Sequence, residues 1–244
     1  MTRDVVSIKI SATMLNAAMI MGEKHIGSVI IENYGTPVGI VTERDLITDV
    51  LALGKTPREI NVEEVMSFPL ITICSDVEIR EAARMMIKKK GRLAVFRCGT
   101  LVGVITASDL TRSLPDIPET HLKVDDYMTK DVITADEKKT ITSITNIMGE
   151  QRIGSVIITS KDKPHLSIFT ERDLLTAFLA KGKSLKTEVG RASSSPLITI
   201  PEGTSVHKAA AIMAGNHIKR LPVTRDGQLV GIITARDLVE AYAS

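Results

Sequence analysis

The chain has 244 residues, 43% hydrophobic and 25% charged, with a formal net charge of +2. That bounds it to a soluble globular protein of one or two domains and excludes a nucleic-acid binder announced by charge alone. It has no Trp and only 3% aromatic residues, so the core is aliphatic and base-stacking platforms for single strands are not expected.

In chain order, an apolar strand over 5–10 leads into a helix over 14–21. A hairpin follows, with strands over 29–32 and 38–41, then a closing helix over 42–53. Residues 53–58, Leu-Gly-Lys-Thr-Pro-Arg, read as a linker. The next strand holds Pro69-Leu-Ile-Thr72-Ile73, and the basic run Lys88-Lys-Lys-Gly-Arg92 lies where the following helix ends. A run of charge of this kind is more often a solvated face than a binding patch. Residues 113–119, with Pro115 and Pro118, read as a break, and 181–186, Lys-Gly-Lys-Ser-Leu-Lys, as a second linker. The last quarter is clearest. A strand over 197–200 ends at Pro201, and Val206, Ala209, Ala210 and Met213 then follow helical spacing behind a cap at Thr204 or Ser205. Strands over 220–224 and 229–233 flank the turn signal Asp226-Gly227, and a helix opens at Thr234. The order is β-α-β-β-α.

That order occurs four times. Gly39-Ile-Val-Thr42-Glu-Arg-Asp45-Leu46, Gly103-Val-Ile-Thr106-Ala-Ser-Asp109-Leu110, Ser167-Ile-Phe-Thr170-Glu-Arg-Asp173-Leu174 and Gly231-Ile-Ile-Thr234-Ala-Arg-Asp237-Leu238 recur at a spacing of 64 (106 − 42, 170 − 106, 234 − 170). Copies one and three share Ile26-Gly-Ser28-Val29-Ile-Ile31 and Ile153-Gly-Ser155-Val156-Ile-Ile158; copies two and four share Pro-Leu-Ile-Thr-Ile at 69–73 and 196–200. One pair duplicated whole accounts for this. The expected boundaries are 1–57 and 58–118 for a first two-copy module, and 119–186 and 187–244 for a second.

Repeat length, element order and the Gly-φ-φ-Thr-x-x-Asp junction together closely resemble the cystathionine β-synthase (CBS) domain, two of which form a Bateman module. The resemblance covers essentially the whole chain. Four copies in one chain are similar to the γ subunit of AMP-activated protein kinase and its stand-alone archaeal relatives. The fold class implied is α+β, with four βαββα CBS repeats in two Bateman modules arranged as a flat disc, either one chain alone or a homodimer. The ligands implied are AMP, ADP or ATP, or S-adenosylmethionine or another adenosyl compound. No cofactor is required, and an effector protein of unknown identity reads the signal.

The residues suit that ligand class. A carboxylate accepts both hydrogen bonds of a ribose diol, and the candidates are Asp45, Asp109, Asp173 and Asp237. Thr42, Thr106, Thr170 and Thr234 place a hydroxyl at a helix start, where amides and the helix dipole favour phosphate. Arg44, Arg172 and Arg236 lie in the same junctions, with Ser108 in the second copy. Arg92, Lys219 and Arg220 lead into central strands, where the resemblance implies phosphate contacts; Ser28 and Ser155 replace Arg92 and Arg220 in the odd copies, leaving His25 and Arg152 as the nearest cations. Ile26, Val29, Ile153 and Val156 are expected to line the base, with Ser7, Thr72, Thr134 and Thr199 supplying backbone polar groups at its edge. Thr-x-x-Asp is equally a helix capping box, which accounts for all four copies without any ligand.

Met85, Met86, Met148 and Met213 stand at core spacing. His121, His165, His207 and His217 lack metal-ligand spacing. Cys74 and Cys98 match neither metal nor redox patterns and read as reduced core or strand residues. No nucleophile with a neighbouring base and no paired catalytic carboxylates stand out, so no enzyme is expected. Gly182-Lys183-Ser184 matches only the tail of a phosphate-binding loop and follows a helix. The absence of a leader and of any long apolar run points to the cytoplasm and away from membranes. Weak nucleic-acid binding, as in a transcription-associated CBS protein, is the alternative function.

Overall fold

The structure, a computed structural model, describes residues 1–114, 121–160 and 166–244. Most of the expected break at 113–119, with Pro115 and Pro118, and His165 lie outside the described residues. The described residues form four three-stranded sheets, each with its second strand in the centre, parallel to the first and antiparallel to the third.

In the first copy β1 (Ser7–Lys9), α1 (Met14–Glu23), β2 (Ser28–Asn33) and β3 (Thr36–Thr42) lead to α2 (Glu43–Asp45). The second copy comprises β4 (Thr72–Cys74), α3 (Ile79–Lys89), β5 (Leu93–Arg97), β6 (Thr100–Ile105) and α4 (Ala107–Ser113). The third has β7 (Thr134–Asp136), α5 (Ile141–Glu150), β8 (Ser155–Thr159), β9 (Ser167–Thr170) and α6 (Glu171–Asp173). The fourth has β10 (Ile200–Pro201), α7 (Val206–Gly215), β11 (Arg220–Arg225), β12 (Gln228–Thr234) and α8 (Ala235–Ala243). Asp226-Gly227 forms the expected turn with both φ values positive, 49° and 78°, and Tyr34-Gly35 and Cys98-Gly99 repeat it. Ser205, not Thr204, caps α7 by accepting from the Lys208 amide at 3.2 Å.

The chain divides into two compact units. One holds Val6–Leu70 and Ile133–Leu197, the odd copies; the other holds Met1–Val5, Ile71–Val132 and Ile198–Ser244, the even copies. Within the odd unit, Leu175 of copy three enters the core of copy one, and Ile47 of copy one enters the core of copy three. In the even unit, Val239 of α8 enters the core of copy two, while Leu114 joins that of copy four. Met86, Met148 and Met213 are buried in these cores as expected, with Met85 half-buried. A short segment adds a bridge to the third strand of each sheet: Thr2 to Val104, Ser67 to Ile40, Thr129 to Ile232 and Ser194 to Ile168. Where that segment carries Met1, Met66 or Met128, the sulfur packs on Gly103, Gly39 or Gly231, where any Cβ would collide.

Two expectations are corrected. Cys74 lies in β4 as expected, on its exposed face, whereas Cys98 is neither core nor strand and occupies an exposed turn at φ 48°. The closing helix read over 42–53 is one α-turn, α2, followed by a π-helix at Leu46–Leu51; copy three repeats this with a π-helix at Leu174–Leu179. Thr48 donates to the Arg44 carbonyl at 3.0 Å and Thr176 to the Arg172 carbonyl at 2.8 Å, competing for the acceptor a regular helix would use. The even copies, with Arg112 and Glu240 at this position, keep regular helices.

The π-helices also permit close approach in the odd unit. A Cβ on Gly22 would lie 2.7 Å from the Ala180 Cβ and 3.1 Å from the Leu175 carbonyl oxygen, and one on Gly149 would strike the Ala52 Cβ. Gly149→Ala is therefore expected to destabilise the protein by about 1–3 kcal/mol through overpacking. Gly215→Ala, at a helical position with nothing within 4 Å, is expected to shift stability by no more than about 1 kcal/mol, in the stabilising direction. Urea unfolding of the two variants checks the contrast, and equal stabilities would refute the packing argument.

Candidate functional site

Each copy's third strand ends in an extended Thr that caps the closing helix. The Asp amide donates to the Thr hydroxyl at 3.3 Å in Thr42/Asp45 and 3.4 Å in the other three copies. The Thr amide donates to Asp Oδ2 at 2.7 Å in copies one and four, 2.9 Å in copy two and 2.8 Å in copy three. In copies two, three and four the Thr hydroxyl also donates to that oxygen, at 2.6, 2.7 and 2.8 Å. The capping box is thus present in all four copies. It does not exhaust the carboxylate, which has about four acceptor positions, and it holds the group rigidly.

The amide of the first helical residue is also engaged. Glu43, Glu171 and Ala235 donate to the carbonyls of Gly27, Gly154 and Lys219 at 3.2, 3.1 and 2.8 Å. With these first-turn donors occupied, an anion at the corner depends on side-chain cations more than on bare amides.

Register sets those cations beside the corner. Arg220, first in β11, lies directly opposite Thr234, as Ser28 lies opposite Thr42 and Ser155 opposite Thr170. Lys219, Arg220 and Arg92 are half-buried, as are Arg172 and Arg236. Arg44 bonds across copies, its Nε 3.4 Å from Glu171 Oε1. The Arg44 side chain is half exposed while that of Glu171 is buried, so the guanidinium stays open to water on its outer side. The buried acids Glu43 and Glu171, 3% and 8% exposed, were not singled out from sequence, although Glu occurs at this position only in the odd copies. His25 and Arg152 are exposed at φ 53° and 52°; Lys90 and His217 take the same left-handed position after their helices, at 55° and 54°. A basic residue or His where Gly or Asn is favoured recurs in all four copies.

The expected base-lining set separates. Ile26 and Ile153 are half-buried against the cores of their own copies. Val29 and Val156 are 1% and 0% exposed, with side chains inside those cores, so neither offers a surface to a ring. The central strands are buried over three successive residues, so alternation does not distinguish lining from core positions. Ser7, Thr72 and Thr134 open the first strands and Thr199 precedes β10, all exposed; Ser7 donates to Glu32 Oε2 at 2.9 Å.

The second- and fourth-copy carboxyls differ electrically. Burial disfavours the charged form of Asp109, but the Thr106 hydroxyl and amide, the amino terminus and Arg112 outweigh it and hold its pKa below the ordinary value. Burial raises that of Asp237, with Glu240 adding repulsion, against the opposing Thr234 bonds and Arg236. A carboxyl with a lowered folded-state pKa stabilises the fold above its unfolded value and loses that contribution as pH falls through the folded one. A carboxyl with a raised pKa contributes below its unfolded value and loses that contribution as pH rises through the folded one. The stability of wild type relative to Asp109→Asn should therefore fall on acidification, while that relative to Asp237→Asn should rise. Urea unfolding between about pH 7 and 3 reads both slopes; slopes of the same sign would contradict the assignment.

Among the described residues, no helix is long and apolar enough to cross a membrane and no three His, Cys, Asp or Glu side chains form a metal cluster. The chain is 39% identical over 116 residues to protein MK0525 of Methanopyrus kandleri, covering 46% of this chain and 59% of that protein. It is 36% identical over 124 residues to protein MJ0653 of Methanocaldococcus jannaschii, covering 51% and 61%. The chain thus spans about three-fifths of the length of each. The crystal structure of protein MJ1225 from M. jannaschii, a candidate archaeal homologue of g-AMPK, superimposes with a TM-score of 0.80 at 24% identity over 100% of this chain and 98% of that one. The CBS domain family matches residues 1–52, 62–116, 124–180 and 189–244, in step with the four capped corners, and the chain belongs to that family.

Proposed function

We propose that this chain is a non-catalytic regulatory protein that binds adenine nucleotides, with Asp45, Asp173 and Asp237 as acceptors for the ribose diol. The observation that carries the reading is the fourth-copy corner. Asp237 uses Oδ2 for the cap of α8, and Arg220 stands opposite Thr234 in the sheet. Directly opposed residues of an antiparallel pair have Cα atoms roughly 5 Å apart. Arg220, as the cation for phosphate, therefore stands across the sheet from Thr234, whose hydroxyl and amide bond Asp237, and Lys219 is adjacent in sequence. This spacing suits a nucleoside with an anionic tail better than either group suits a ligand alone.

In the odd copies Ser28 and Ser155 replace that arginine, so phosphate contacts fall to Arg172, Arg152, His25 and an Arg44 released from Glu171, and Ile26 or Ile153 supplies an aliphatic surface to the base. A nucleotide can act as a signal here only through unequal affinity for two states of the protein, which an effector protein then distinguishes.

Calorimetric titration with AMP, ADP, ATP and S-adenosylmethionine tests this. Asp237→Asn, which can keep a capping oxygen, should weaken nucleotide binding at its site about tenfold to a hundredfold, the range for a hydrogen bond to a charged group. Arg220→Ser should weaken AMP while leaving adenosine nearly unchanged. If both variants fold and bind every nucleotide as wild type does, the corner is a cap alone.

A further inference from the structure

The four corners share the cap but differ in the residue three positions after the Asp: Thr48, Arg112, Thr176 and Glu240. In the second copy Arg112 Nη2 donates to Asp109 Oδ1 at 2.7 Å, and the amino-terminal nitrogen lies 3.6 Å from the same oxygen. Oδ2 already accepts from the Thr106 amide at 2.9 Å and hydroxyl at 2.6 Å. Both oxygens are therefore engaged, and three of the about four acceptor positions of a carboxylate are taken by hydrogen bonds from Thr106 and Arg112. The Asp109 side chain is only 7% exposed, so no face of it is left for another donor.

A sugar reaching this corner must replace a charge-assisted bond from a guanidinium with a neutral hydroxyl bond, which is the weaker of the two. The same copy also lacks the junction arginine, having Ser108 where the others have Arg44, Arg172 and Arg236. Its cation stands beyond the carboxyl, where it neutralises the Asp, instead of before it, where it could meet a phosphate. The fourth copy is the converse. Glu240 takes the place of Arg112, and Asp237 Oδ2 is held by the same two cap bonds.

We propose that Arg112 is an occupancy-determining residue: it closes the second-copy corner to the ribose, so this corner stays empty at adenine nucleotide concentrations that fill the fourth. The inference rests on the nucleotide-binding reading above and adds to it which corner does not bind and which side chain prevents it.

Equilibrium dialysis with labelled AMP at saturation counts the sites. Arg112→Thr, which installs the residue of the odd copies, should raise the number bound per chain by one. Asp109→Asn combined with Arg112→Thr should return it to the wild-type value, and Arg112→Lys should leave it unchanged. In the wild-type background Asp109→Asn should not alter the count, which keeps the test decisive if Arg112→Thr does not fold. Wild type that binds AMP, with a folded Arg112→Thr showing no added site or Asp109→Asn losing one, overturns the role of Arg112 and leaves the nucleotide reading standing. Wild type that binds no AMP overturns both.

Discussion

The rest of the structure depends on the reciprocal bond between a Thr at the end of a strand and an Asp three residues later at the start of a helix. In each copy the Thr hydroxyl satisfies the Asp amide while the Asp carboxylate satisfies the Thr amide. Such a cap contributes about 1 kcal/mol to each helix. Its larger consequence is geometric. It fixes the carboxylate at the corner, half-buried, with Oδ2 committed to the cap; in the proposed function this sets the orientation of a sugar acceptor before any ligand arrives. Capping and the proposed ligand binding, which appear as rival explanations of one motif, do not exclude each other, because a carboxylate has about four acceptor positions. In the second copy Oδ1 of Asp109 is taken by Arg112.

Small changes around this constant element differentiate the copies. A Thr three residues beyond the Asp accompanies the π-helical turn of the odd copies and the close packing of Gly22 and Gly149 on the facing helices. An Arg at that place bonds Asp109, whose pKa the Thr106 bonds chiefly hold low, while burial, with a smaller repulsion from Glu240, raises that of Asp237. The second and fourth corners, with the same local motif, therefore present different electrostatic environments. The proposed inequality of occupancy rests on this local chemistry.

The repeat, the element order, the caps and the Asp226-Gly227 turn were legible in the sequence because each is encoded within a few residues. Features that depend on partners distant in sequence were not. The bridge of Ser67 to Ile40 places a residue assigned to the second copy against the sheet of the first. Val29 and Val156 resemble Ile26 and Ile153 in sequence, yet three successive buried positions put them in the core, where periodicity gives no warning. The π-helices were hidden because Thr48 and Thr176 are unremarkable in a helical pattern until their hydroxyls are seen to take carbonyls four residues back. Ser108 signalled that the second corner differs. The cation displaced to Arg112 became visible only when the helix turn brought it onto Asp109.

The central claim is that a carboxylate already used as a cap holds a ribose diol through its remaining capacity. Comparing AMP with its 2′,3′-dideoxy analogue, in wild type and in Asp237→Asn, tests this most directly. The account predicts that loss of the two hydroxyls weakens wild-type binding about tenfold or more and that the variant no longer discriminates between the two ligands at the fourth corner. Equal affinity of wild type for both, or discrimination that survives the substitution in full, would contradict it.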